Sequence, residues 1–170
     1  MIEPQLSEIK AMFRYEPETG FLRRLTNGRG HRTRIGDVAG YKTLNGYILV
    51  KVGNRGYLAH QIAWFLCTGV WPISQLDHVN RDKADNRIAN LRLASQSQNV
   101  SNTAKLNGCI SRHKGVTFRG GSFTARIKKN GISHHLGSFK TEEEASVAYV
   151  EAARKLHGPF ACIESSPVFK

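Results

Sequence analysis

The sequence predicts an α+β chain in three parts. These are a β-rich N-terminal region, a central module of strand, loop, strand and helix, and a C-terminal three-stranded antiparallel sheet packed on one helix. Three observations carry this expectation. Short runs of strand-forming residues are joined by turn residues, Gly53-Asn54-Arg55 in one half and Asn130-Gly131 in the other. An apolar stripe at helical spacing, Ala145, Ala148, Tyr149, Ala152 and Leu156, follows three short C-terminal strands. At 170 residues, the chain suffices for one medium domain or two to three small modules, each burying only a modest core.

In chain order, Leu6, Ile9, Met12 and Phe13 recur at helical spacing and predict a short amphipathic helix over 5–14. The run YEPETGFLRR reads as a turn into a strand, and the glycine-rich basic run 27–34 as a loop without core residues. Segments 46–52 and 56–60 predict a hairpin. A buried helix follows from His60 to Cys67, stopped by Thr68-Gly69 and Trp71-Pro72. Strands are expected at 75–79 and about 90–93, then a helix over about 96–104 with Ser95 as its N-cap. Residues 105–112 read as a linker. Beyond it, strands at 115–119, 123–128 and 133–139 precede a helix that Thr141 and Glu144 open with a capping box and Gly158-Pro159 ends. The expected parts are 1–59, 60–104, 113–161 and a tail from 162 to 170.

Net charge is +12, which favours a polyanionic partner, nucleic acid before membrane. No apolar run approaches the roughly 20 residues of a spanning helix, and the N-terminus lacks the pattern of a secretory signal, so a cytoplasmic location is expected. Cys67, Cys109 and Cys162 stand far apart, so neither a disulfide frame nor a structural zinc is expected. The charge is uneven. Residues 1–59 hold ten Lys/Arg against five Asp/Glu, residues 105–170 eleven against five, and residues 60–104 four against three. Two basic arms thus flank a near-neutral centre, and the chemistry-bearing residues lie in that centre.

There, Asp77-His78 is followed by Asn86, Asn90 and Asn99. A histidine of ordinary pKa suits general-base work near neutrality. Asp77 and Asn99 offer two hard oxygen ligands for one Mg²⁺ or Mn²⁺, leaving positions for water and a phosphate. Asn90 could accept from His78 Nδ1–H and leave Nε2 as the base; Asn86 is the alternative for that part. Neighbours on a flat strand face apart, so convergence of Asp77 and His78 needs a bent or bulged strand. His60 reads as a core histidine, with phosphate contact as the other option.

The stretch QLDHVNRDKADNRIANLRLASQSQN, with AHQIAWFLCTGVWP before it, resembles the HNH nuclease motif of phage and intron-encoded homing endonucleases. The resemblance implies a ββα-metal fold and a DNA endonuclease that leaves 5′-phosphate and 3′-hydroxyl ends. It also implies catalytic parts for His78 and Asn90 and metal ligation by Asp77 and Asn99. Segment 112–161, with LGSFKTEEEASVAY, resembles an Apetala-type (ethylene-response-factor-like) DNA-binding domain, although Gly120-Gly121 and His135 stand where that family carries aromatics. This second resemblance implies that the sheet contacts duplex DNA. Phe123, Ala125 and Ile127 then pack on the helix, and Lys114, Arg119, Arg126, Lys128 and His135 are the candidate contacts. Arg29, Arg32 and Arg34 are candidates in the first arm, with a surface loop as the alternative. The rival function is a non-catalytic sequence-specific DNA-binding regulator with a degenerate nuclease module. Monomer and homodimer are both open.

Overall fold

The computed structural model describes residues 6–28, 33–104 and 111–163. They form two compact units, Met1–Ala94 and Ser95–Lys170. In the first, helix α1 (Leu6–Met12) runs directly into β1 (Phe13–Glu16), which pairs antiparallel with β2 (Phe21–Arg24). A second sheet has the order β3 (Tyr41–Lys42), β4 (Ile48–Val52), β5 (Arg55–Leu58), and α2 (Ala59–Thr68) follows it. The helix expected over 5–14 is therefore shorter, because Phe13 and Arg14 already belong to a strand. Gly69 ends α2 in the left-handed conformation (φ 80°), returning its N–H to the Phe65 carbonyl at 2.8 Å.

One core joins these elements: Ile9, Phe13, Leu22, Ala39, Val50, Val52, Ala59, Ile62 and Phe65 pack together. Residues on both sides of the expected boundary at 59/60 thus share a single apolar cluster, and the chain is compact across it. The unit is completed by a ribbon of β6 (Gln75–His78) and β7 (Leu91–Ala94), with a 3-10 turn at Ile88–Asn90 ahead of β7.

The second unit opens with α3 (Gln96–Asn102), which Ser95 and Gln98 start with a reciprocal capping box. Its sheet has the order β10 (Ile132–Phe139), β9 (Ser122–Lys129), β8 (Val116–Arg119), backed by α4 (Glu142–His157). Asn130, at φ 49°, and Gly131, at φ 85°, make the tight turn between β9 and β10. Ala125 and Ile127 of β9 are buried with Ala145, Tyr149 and Ala153 of α4, while Arg126 and Lys128 stay exposed. Of the α4 stripe, Ala145 and Tyr149 are fully buried and Ala153 takes the next place.

Two expected boundaries move. Most of the linker, 105–110, lies outside the described residues, but Ser111 and Arg112 belong to the second unit. Both donate to the Glu142 carboxylate at the first turn of α4, Ser111 Oγ at 2.8 Å. The tail likewise begins later than residue 162, since Cys162 is buried and its N–H reaches the Ser101 carbonyl at 3.4 Å. Cys67 is exposed, and Cys109 lies outside the described residues. Among the described residues, no helix is long and apolar enough to cross a membrane.

Gly115 holds β8 against this core. It sits at φ +73°, its carbonyl accepts from Arg126 N–H at 2.8 Å, and a Cβ there would collide with the Tyr149 ring and lie 2.5 Å from the Arg126 oxygen. Gly115→Ala therefore combines backbone strain with an obstruction in the core, and a loss of at least about 2 kcal/mol is expected. Denaturant titration of the variant measures it.

Candidate active site

The ribbon β6–β7 positions the motif residues. Its pairing runs from Gln75↔Ala94 to His78↔Leu91 without a register shift, so no bulge turns Asp77 and His78 toward one another. The pleat sends them to opposite faces instead, each meeting different partners. Asp77 stands across from Arg92, whose Nε and Nη2 reach its Oδ2 at 2.8 and 2.6 Å. Both side chains are largely buried, at 8% and 18% exposure, and such a pair costs several kcal/mol to break because the surviving charge is stranded (~3–5 kcal/mol).

His78, 4% exposed, is the last residue of β6 and lies among aromatic rings. The His60 ring stands edge-on to it with centroids 5.0 Å apart, and Tyr47 lies 6.1 Å from His78 and 5.5 Å from His60. His60, itself 5% exposed, thus forms a wall beside the candidate base. No short-range spacing announced this, because α2 brings His60 to the ribbon through the shared fold.

The third neighbour of His78 is Asn86, whose Oδ1 lies 3.3 Å from Nε2. Asn86 Nδ2 donates to the Ala84 carbonyl at 3.3 Å, which fixes the amide with its oxygen toward the ring. An acceptor at Nε2 favours a hydrogen on that nitrogen. Asn90 has other duties: its Oδ1 accepts from Asn80 N–H at 2.9 Å and its Nδ2 donates to the Asp85 carbonyl at 2.8 Å. Of the two asparagines considered, Asn86 has its side chain at the ring, and Asn90 holds the loop in which Asn86 sits. Asp85 strengthens that loop by accepting from Arg87 at 2.6 and 2.8 Å and from Asn80 at 2.7 Å. These contacts, the Arg87 bond foremost, bring its carboxyl down to about 2.

Burial lowers the pKa of both histidines. For His60 it outweighs all else, with the neighbouring His78 charge adding to it, and the value falls to about 3. For His78 burial again dominates and the net direction is down, although Asn86 and the carboxylates of Asp77, Asp85 and Asp82 act in the opposite sense. Both rings are therefore neutral near pH 7, the form a general base requires.

The remaining predicted residues fall elsewhere. Asn99 is half-buried on α3, in the second unit. Arg119, Arg126, Lys128 and His135 are exposed; Arg119 pairs with Ser122 and His135 with Arg126, so strand pairing gathers the four on the sheet face turned from α4. Lys114 is not on that face. Its Nζ donates to the carbonyls of Ser101 and Thr103 at 2.8 and 2.6 Å, closing the C-terminus of α3. Arg34 is exposed in a turn stapled by Asp37, while Arg29 and Arg32 lie outside the described residues.

Among the described residues no three His, Cys, Asp or Glu side chains gather as a metal cage. A hard ion that keeps its waters asks for less: Mg²⁺ sites commonly use one or two carboxylates together with water and substrate phosphate. The Asp77 carboxylate is an oxygen donor of that kind, shared with the Arg92 guanidinium.

Residues 57–101, from β5 into α3, match the family model described as HNH endonuclease. The chain is also 37% identical over 87 residues to a protein of Acanthamoeba polyphaga mimivirus named uncharacterized HNH endonuclease L560, a match covering 51% of this chain and 44% of that one. The chain thus spans less than half the length of the curated relative it matches.

The buried rings have a measurable consequence. An unfolded histidine takes up a proton near pH 6.5, whereas folded His60 stays neutral to about 3, so stability is intact above 6.5 and falls as pH drops below it. In His60→Phe the fall between about pH 6 and 4 should be shallower by roughly one proton's worth of slope. Urea denaturation at a series of pH values reads this directly.

Proposed function

We propose that the protein is a divalent-metal-dependent endonuclease acting on duplex DNA, with His78 as general base. The observation that carries this reading is a buried, neutral His78 held by Asn86 inside the segment that matches the HNH endonuclease model. His78 takes a proton from water, with Asn86 held against its ring at Nε2. The His60 and Tyr47 rings exclude bulk water from the imidazole and hold its plane. Asp77 would hold a Mg²⁺ or Mn²⁺ ion, which supplies charge neutralisation on the phosphoryl oxygens and at the departing 3′-oxygen. The motif adds Asn99 as a second oxygen ligand, a part that rests on the motif alone. Products carry 5′-phosphate and 3′-hydroxyl ends.

In this reading the exposed face of β8–β10 grips and reads DNA in the Apetala manner, with Arg126 placed to pair with guanine and Lys128 to hold phosphate. Arg34 adds a phosphate contact from the first unit. A phage or other mobile-element protein that homes to one target site is the role that combines a cutting module with a separate recognition sheet.

The test is conversion of supercoiled DNA with Mg²⁺ or Mn²⁺ and with chelator. Metal-dependent nicked or linear product from the wild type, and none from His78→Ala at near-normal DNA affinity, is the expected result. Tight binding without cleavage in any metal would replace this reading with that of a non-catalytic regulator. Replacing both Arg126 and Lys128 by alanine should weaken binding and lower the slope of log affinity against log salt by about 2. Fluorescence anisotropy across a salt series measures that slope.

A further inference from the structure

Within the segment that matches the nuclease family, the guanidinium charges of Arg87 and Arg92 are matched by the carboxylates of Asp85 and Asp77. Lys83, exposed on the loop between β6 and β7, is held differently. Its ammonium donates to the Asn45 carbonyl at 3.2 Å, across 38 positions of sequence, and stands 4.7 Å from the centre of the Tyr47 ring. Its stem passes Gly46, where a Cβ would meet the lysine Cδ at 3.9 Å. A carbonyl and an aromatic face fix an ammonium in place without cancelling its charge. Among the described residues, no carboxylate pairs with Lys83. The turn beneath it is firmly closed. Gly46 N–H reaches the Thr43 carbonyl at 2.9 Å, and the Thr43 N–H and hydroxyl both reach the Tyr47 carbonyl, at 2.8 and 3.1 Å.

That turn abuts the candidate base. The Tyr47 ring centre lies 6.1 Å from that of His78, so the Lys83 ammonium is no further from the imidazole than these two spans laid end to end. An ammonium has three hydrogens to donate, and Asn45 takes one of them. The ligand this arrangement suits is an anion with several acceptor oxygens that comes close to His78. In a nuclease that anion is the phosphate backbone. The geometry points to Lys83 as the residue that holds a phosphate of the cleaved strand beside the scissile bond, with Asn45 and Tyr47 fixing its reach. A stem ordered before DNA arrives loses less rotamer freedom on binding than an ordinary surface lysine does. The place of that phosphate, next to the cut, rests on the proposed nuclease reading, whereas the contact itself is measurable without turnover.

The experiment compares the full chain, wild type, with Lys83→Met, which keeps the length of the stem and removes its charge. Binding to duplex DNA is followed across a salt series in the presence of chelator. The slope of log affinity against log salt should fall by about 1 in the variant. Nicking is then measured on a duplex that the wild type cuts, with single phosphates around the mapped cut replaced in turn by uncharged methylphosphonate. At one position flanking the cut, the replacement should lower kcat/KM of the wild type about tenfold and that of Lys83→Met less than about twofold. Elsewhere the two proteins should respond alike. Lys83→Arg should restore both the slope and the sensitivity at that position, and Lys83→Gln serves as a second uncharged variant should Lys83→Met fail to fold. An unchanged salt slope overturns the proposal. So does equal sensitivity of both proteins at every position, the result of a lysine that merely props the turn. Sensitivity confined to a phosphate remote from the cut, or on the uncut strand, refutes it as well. If the wild type cuts no DNA, the nuclease reading fails, and the salt slope still decides whether Lys83 holds a phosphate.

Discussion

Among the described residues, the loop between β6 and β7 contributes no buried apolar side chain, and a side-chain amide holds its shape instead. Asn90 reaches back across the loop to the Asn80 N–H and the Asp85 carbonyl, while its own carbonyl accepts from Val79 N–H at 2.9 Å. Each such bond is worth only about 1 kcal/mol net. Together they close the loop into a ring of fixed shape, with Asn86 on its inner side and Asp85 tied to Arg87 along its rim. A two-stranded ribbon is marginal alone, and this one pairs only four residues on each strand. Its rigidity is borrowed from this polar ring and from the neighbouring hairpins, including Lys83, which reaches the Asn45 carbonyl at 3.2 Å and lies over the Tyr47 ring.

Two kinds of polar burial divide the ribbon. On the Asp77 face a full negative charge is kept and matched by the guanidinium of Arg92. On the His78 face charge is avoided, because neutral imidazoles and a phenol lose far less on leaving water than ions do. A base has to be neutral before it acts and cationic after it, and a dry ring of neutral neighbours favours the first state.

Local chemistry was legible in the sequence wherever the deciding contact lies within a few residues. The capping box at Thr141 and Glu144, the Asn130-Gly131 turn, the Ser95 cap and the Gly69 stop depend on neighbours alone, and each stands where the pattern put it. The helix at the start was drawn too long because Phe13 fits both a helical stripe and the first position of a buried strand. Asn86 and Asn90 are the same residue type four positions apart, and what separates them is which one faces the ring, a choice made by the fold of the loop and by Tyr15, whose hydroxyl donates to the Asn86 carbonyl at 2.9 Å. Lys114 has the composition of a DNA contact, and in the fold its ammonium reaches carbonyls more than ten positions upstream. The β1–β2 turn leaves no mark in sequence of its approach to the Asn86–Arg87 backbone, where a Cβ on Gly20 would lie 2.5 Å from Arg87 N.

The lysine that closes α3 also bears on how such a chain can be rebuilt from parts. Ser101 and Thr103 end their helix on a side chain supplied from beyond the connecting segment, Ser101 Oγ lies 3.1 Å from His157 Nδ1, and Asn130 N–H reaches Ser97 Oγ at 3.2 Å. A recombination event that exchanged everything after residue 104 would strip α3 of its C-terminal closure and leave carbonyls bare. A seam between Ala94 and Ser95 keeps these three sets of bonds together. Shuffling at that seam transfers Asn99 together with the sheet, so inheritance of a new recognition surface brings its own copy of the motif's last residue.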